Sequence, residues 1–223
     1  MDIPLFPPSA SHLSAVVSTK EDDQIGRVLE ALKKTGRADN TIVVFCSDYG
    51  LAIGSHGLMG KQNVYEHSVR VPMVIMGLGI PKGEIREQLY YMYDVYPTLC
   101  DRAGLKTPEA VQYRSLDKAI GDSKSKHRDH LYFAFMSWQR SVRDQQYKLI
   151  EYCVGDERHT QLFDLVEDPQ ETKNLADHKA HQATVSRLRT LLKQERVRLN
   201  DGNVPYALTN KQGADFWTAF EKN

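Results

Sequence analysis

Residues 41–61 read TIVVFCSDYGLAIGSHGLMGK. The first six are β-branched or apolar without a break, the composition of a strand covered on both faces and typical of a parallel sheet in an α/β protein. The fifteen that follow hold a carboxylate (Asp48), a phenol (Tyr49), an imidazole (His56), an ammonium (Lys61) and four glycines (Gly50, Gly54, Gly57, Gly60). In open α/β sheets ligands bind outside the carboxyl ends of strands, so Asp48, two residues past the strand, stands at that edge. The glycines allow tight backbone at positive φ close to a ligand, and equally serve an irregular loop. Gly60-Lys61 continues into Gln62, which is not the Ser or Thr of a P-loop. Taken singly, Lys61 reads as a solvated charge and His56 as a structural hydrogen-bonder; only their conjunction with Asp48 suggests a site.

Upstream, Ile25, Val28, Leu29 and Leu32 fall on one helical face with Gly36 as the closing glycine. Asp22 and Asp23 sit just before that face, where they would favour the helix dipole. Downstream, residues 71–76 (VPMVIM) read as a second strand, with Pro72 tolerable near its start. DVYPTLC, residues 94–100, reads as a helix capped by Asp94 and closed by Gly104, and residues 121–129 (GDSKSKHRD) as a linker or surface loop. The texture then changes to short alternating segments around 130–135, 141–143, 147–152 and 161–165, at the spacing of antiparallel hairpins. Val185, Leu188, Leu191 and Leu192 mark a helix to cover that small sheet. The expected organisation is α/β, with a mainly parallel sheet in residues 1–125 and a small α+β subdomain with an antiparallel sheet in 126–223. The tail beyond Asn200 is expected to be irregular, with Phe216, Trp217 and Phe220 free to dock.

Lys+Arg and Asp+Glu both number 29 in 223 residues, so no net field draws nucleic acid or an anionic membrane. No run reaches the length of a membrane span. The N-terminal MDIPLFPPSASHL, with three prolines in its first eight residues, is expected to be a loop and carries no export signal. The three cysteines, Cys46, Cys100 and Cys153, form no CxxC pair and indicate neither a disulfide framework nor a zinc site.

The run from Thr41 to Ile75, TIVVFCSDYGLAIGSHGLMGKQNVYEHSVRVPMVI, resembles the metal-and-lysine signature of sulfatases, members of the alkaline phosphatase superfamily. The shared pattern is a buried strand, Ser-Asp-(Asn or His)-Gly, Gly-x-His-Gly, Gly-Lys, Tyr-Glu and Arg-Val-Pro. YDVYPTLCDRAGL, YKLI and QLFDLVEDPQETKNLA extend the likeness over about residues 14–200. The resemblance implies part of an alkaline-phosphatase-like sandwich and hydrolysis of sulfate esters. It implies that Asp48 ligates a catalytic Ca²⁺, that Lys61 binds sulfate oxygens and that His56 lines the substrate side. Glu66 and Arg70 would be structural, and Trp138, Gln139 and Arg140 would border the pocket. A hard cation takes carboxylate oxygens and would share with Lys61 the charge of the transition state.

Two departures stand out. Position 49 is Tyr where the family places Asn or His, and a neutral phenol is a poor calcium ligand. The formylglycine nucleophile arises from Cys/Ser-x-Pro/Ala-x-Arg, and none of the segments beginning at Cys46, Cys100 or Cys153 fits. The chain therefore resembles the C-terminal half of a sulfatase, carrying part of the site without the nucleophile, and is expected to be inactive alone. The resemblance implies a sulfated small molecule or carbohydrate as substrate, with a missing N-terminal half or self-association as partner. Relatives are often exported, while this sequence itself assigns no compartment. Two other readings stay open: a phosphodiesterase or phosphatase of the same superfamily, and a non-catalytic binding or assembly module.

Overall fold

The computed structural model describes residues 8–154 and 157–201, with side chains from residue 20 onward. The described residues open with a helix, α1 (Pro8–Lys34), so the part of the expected loop from Pro8 onward is helical. Asp22 and Asp23 consequently lie within the helix and exposed, more than three turns from its first described residue. Gly36 (φ 68°) ends the helix as expected, its N–H donating to the Lys33 carbonyl at 3.0 Å. Among the described residues the apolar stripe of α1 stays open: Val28 is 68% exposed.

Strands β1 (Val43–Cys46) and β4 (Met73–Met76) form a two-stranded sheet. They run antiparallel, with Val43 opposite Met76 and Cys46 opposite Met73; the expectation of parallel pairing for these two strands is corrected. The reason lies in the connection. A parallel neighbour needs a crossover of a dozen or more residues, usually a helix, whereas the chain here turns back through a small hairpin, β2 (Ala52–Ile53) with β3 (Met59–Gly60), and one helical turn, α2 (Glu66–Val69). At the end of β4, Gly77 (φ 136°) lies so close to the Thr41 carbonyl and Ile42 that a Cβ would overlap them.

A 3₁₀ turn at Met92–Asp94 leads into α3 (Val95–Arg102), and α4 (Asp117–Gly121) follows. Asp94 makes no side-chain cap to α3. Its fully buried carboxylate instead accepts from the Tyr91 and Arg114 backbone N–H groups, from His127 at 3.1 Å and from Arg128 at 2.5 and 3.1 Å. Residues 121–129 are therefore more than a surface loop, because His127 and Arg128 turn inward to this carboxylate.

The C-terminal sheet is the expected antiparallel meander, in order β5 (Leu131–Phe135), β6 (Gln139–Arg143), β7 (Tyr147–Val154) and β8 (Glu157–Asp164). Helix α5 (Gln182–Arg198) packs on β6 and β7. Alternation along β7 sorts the two faces. Leu149, with Val142 and Leu162, meets Val185, Leu188 and Leu192 of α5, all at most 4% exposed. On the opposite face Ile150 and Phe163 pack against Val64 and Tyr65, so the segment just before α2 covers the back of the sheet. Phe216, Trp217 and Phe220 lie outside the described residues.

Candidate functional site

The loop after β1 is fixed by hydrogen bonds of its side chains and backbone. Asp48 Oδ1 accepts the Tyr49 N–H at 3.0 Å, and Ser47 Oγ donates to the Tyr49 carbonyl at 2.7 Å. Gly50 donates its N–H to the Ser68 carbonyl of α2 at 2.8 Å, and a Cβ there would run into the His67 carbonyl. Only glycine lets this loop lie directly on α2.

The β2–β3 hairpin then sends the charged groups to opposite ends. Gly60 pairs with Ala52, so Lys61 leaves the open end of the ladder and returns beside Tyr49. Its ammonium sits 3.1 Å from the centroid of the Tyr49 ring. No carboxylate among the described residues forms an ion pair with Lys61. The result is a partly buried ammonium without an ion-pair partner among the described residues, while Asp48, next to Tyr49 in the chain, is exposed.

His56 occupies the hairpin tip, with φ 56°. Its ring stacks on Tyr65 at 4.0 Å, and its Nε2 lies 3.2 Å from the Gln170 carbonyl. A carbonyl only accepts, so Nε2 carries the proton and Nδ1 is bare in the neutral ring. His56 can then donate to an anion only as the imidazolium. His67, 5.5 Å from the His56 ring, has a buried Nε2 without a hydrogen-bond partner among the described residues. Burial first, then the positive neighbours His56 and Lys148, hold its pKa below the ordinary value and favour the uncharged ring.

Beneath the loop lies an ionic cluster that the sequence reading did not find. Glu66, 7% exposed, accepts from Arg143 Nη1 at 2.6 Å and from Lys148 Nζ at 3.1 Å. Lys148, fully buried, also contacts Glu171 at 3.0 Å, and the second Glu171 oxygen takes the Glu66 N–H at 2.5 Å. Burial raises the Glu171 carboxyl pKa against the opposing pull of Lys148. Glu66 is thus structural, as expected, through Arg143 and Lys148; Arg70 is exposed. A lysine inside the apolar run Tyr147-Lys148-Leu149-Ile150 was the available signal, since a buried charge needs a partner.

The three residues expected at a pocket border divide. Gln139 Oε1 accepts the Val64 N–H at 3.1 Å and so supports the segment below the hairpin. Trp138 packs edge-on to Phe135, and Arg140 is buried on the other side of the sheet, bound to Asp201. Two clefts, of about 670 and 780 Å³, lie away from this loop, the first lined by Tyr93, Tyr96, Leu99 and Tyr113 and the second by polar residues around 123–129. Neither includes Asp48, His56 or Lys61.

The donor set around Asp48 falls short of the calcium ion that the resemblance implies. Among the described residues no group of three or more His, Cys, Asp or Glu gathers as a cation cage. Asp48 offers one carboxylate, with one oxygen already used by Tyr49 N–H, where Ca²⁺ takes six to eight oxygens. The neighbouring phenol turns its ring to Lys61. These residues do not amount to a calcium site.

Comparison with known proteins bears on the same segment. The family described as "N-sulphoglucosamine sulphohydrolase, C-terminal" matches residues 54–198, well over half of the chain. An arylsulfatase of Clostridium perfringens is 33% identical over 182 residues, covering 79% of this chain and 38% of its own. The multifunctional alkaline phosphatase superfamily protein PehA of Trinickia caryophylli is 33% identical over 75% of this chain and 36% of its own. Among solved structures, one in complex with its substrate D-glucosamine-2-N,6-O-disulfate superposes with a TM-score of 0.75 at 28% identity, covering 82% of this chain and 39% of that one. The phosphonate monoester hydrolase of Agrobacterium radiobacter gives 0.70 at 27% identity, with 79% and 39% covered. The chain spans under two fifths of the length of these curated relatives.

Proposed function

Since the chain belongs to the sulfatase family through its C-terminal region, we propose that residues 48–61 serve the handling of a sulfate ester, with Lys61 gripping the sulfate oxygens. The observation that carries this reading is the Lys61 ammonium, without an ion-pair partner among the described residues and fixed at the loop edge. An ammonium is a compact point charge with three donors, suited to a tetrahedral oxyanion. His56 contributes on the substrate side, its ring held by Tyr65 and Gln170. Asp48 presents one exposed carboxylate near the same loop, which with the described residues falls short of the oxygens that Ca²⁺ takes. Among the described residues no Ser, Thr or Cys side chain is hydrogen-bonded to Asp48, His56 or Lys61, and on this reading the chain by itself binds the anion without turning the ester over.

Titration of the full chain with inorganic sulfate, followed calorimetrically, tests the reading. Binding is expected, and Lys61→Gln is expected to weaken it about tenfold, the loss of one charge-assisted contact of about 1.5 kcal/mol. Binding unchanged by the substitution overturns the assignment; aryl sulfate turnover by the pure chain overturns its inactivity.

A second reading has its own observation. The likeness to phosphonate monoester hydrolases is as high as that to several sulfatases, and an ammonium does not by itself select sulfur over phosphorus. Tighter binding of methylphosphonate than of sulfate would favour phosphoryl chemistry. The exposed apolar faces of α1, β1 and β4 favour, in addition, an assembly role with a companion polypeptide or a second copy.

A further inference from the structure

The residue that departs from the family pattern is the one that touches Lys61. Tyr49 stands where the resemblance expects a metal-ligating Asn or His, and its ring lies under the Lys61 ammonium at 3.1 Å. We infer that Tyr49 is a positioning residue: its aromatic face seats Lys61 for the oxyanion, so that the grip on the anion does not depend on a bound divalent cation. This inference rests on the proposed role of Lys61 as anion binder.

Three features carry it. The first is directional: an aromatic face attracts a cation through its quadrupole without neutralising it. A carboxylate would fix Lys61 equally well but would cancel the charge needed for sulfate, whereas the ring leaves the other side of the ammonium free to donate. The second is rigidity. The Tyr49 backbone is held on both sides, by Asp48 Oδ1 at its N–H and by Ser47 Oγ at its carbonyl, and the next residue is bonded onto α2. A seat tied down in this way limits the freedom of a long, flexible side chain before the ligand arrives, which is where a preorganised site gains affinity. The third is the donor chemistry around Asp48, which leaves one carboxylate and a phenol where calcium needs six to eight oxygens.

The seat has a spectroscopic signature that does not require activity. Protons above an aromatic face are shifted upfield, so the Lys61 ε-methylene should stand apart from the other lysines in a carbon–proton spectrum of the 223-residue chain with labelled lysine; Lys61→Gln assigns the signal by removing it. Tyr49→Phe keeps the ring and should keep the shift. Tyr49→Leu keeps bulk without a π face and should return the ε-methylene to the ordinary lysine position. Sulfate should perturb the shifted signal with the same Kd in EDTA and in millimolar Ca²⁺, and Tyr49→Leu should weaken that Kd about two- to fivefold, the range of an exposed cation–π contact.

The arms separate the inference from the reading beneath it. An ordinary ε-methylene in the native chain, with sulfate still bound at Lys61, overturns the seat alone. A shifted ε-methylene that ignores sulfate overturns the anion-binding role of Lys61 and the positioning role with it. Binding that tightens tenfold or more on adding Ca²⁺ overturns the metal independence. Tyr49 is 43% exposed, so its substitutions leave the packing intact, and unchanged signals from the buried meander verify the fold in the same spectra.

Discussion

Strand β7 carries two charged residues, Lys148 and Glu151, and the pair β1–β4 none, yet β7 is the better buried. In β7, Leu149 and Ile150 are fully buried, one against α5 and the other against Val64 and Tyr65. In the pair, Phe45, Val74 and Met76 remain 47%, 55% and 43% exposed among the described residues. Composition states what a strand needs, but neighbours decide whether it is met. The meander finds its neighbours in the adjacent sequence, each hairpin supplying the next strand and α5 the cover. The two N-terminal strands have each other and little else.

That contrast predicts where substitution matters. The largest effect is expected at Lys148, whose removal leaves Glu66 and Glu171 buried side by side. Lys148→Met should lower the unfolding free energy by about 3–5 kcal/mol, read from urea denaturation. A loss below about 1 kcal/mol would show that the cohesion of the C-terminal half does not run through this cluster.

An intermediate effect is expected in acid. Burial alone would raise the pKa of the Asp94 carboxyl, but His127, Arg128 and the N–H groups of Arg114 and Tyr91 outweigh it and hold it at about 2, against 3.8 for a free side chain. Between those values the unfolded chain binds the proton that the folded one refuses. The stabilisation is therefore complete above about pH 4 and disappears as pH falls toward 2, a loss of about 2 kcal/mol. Denaturation midpoints measured across that interval should decline in the native chain. Asp94→Asn, less stable throughout, should lack this part of the slope; an identical slope would remove Asp94 from the explanation.

The smallest effect is expected on the exposed sheet. Val74→Thr should change stability by no more than about 0.5 kcal/mol. A cost above about 2 kcal/mol, or a change in sedimentation on substitution, would mean that this face is covered in solution and would dissolve the contrast itself.

The meander, α5 and the positions of β1 and β4 were legible because local periodicity encodes them. Strand direction was not, because it depends on the route of residues 47–72: Ala52–Ile53 and Met59–Gly60 are too short to register as strands, and so the antiparallel return stayed hidden. Asp94 looked like a cap because an aspartate before a helix usually is one; its partners His127 and Arg128 lie 33 and 34 positions away. The loop 48–61 was recognisable from its motif, but the meeting of Tyr49 with Lys61 and the diversion of His56 to Tyr65 and Gln170 are products of the hairpin's geometry, which no spacing displays.

The close lie of Gly50 on α2 has a mechanical side. From the Tyr49 ring, one peptide leads to Gly50, one hydrogen bond to Ser68 in α2, two residues back along that turn to Glu66, and one ion pair to Lys148 in the middle of the C-terminal sheet. No link in that series is a free hinge, and the missing Cβ at position 50 is what removes the gap at its first joint. The exposed loop is thereby bolted to the fully buried middle of a strand, as a bracket is to a wall, and is tied to β7 rather than left as a surface turn.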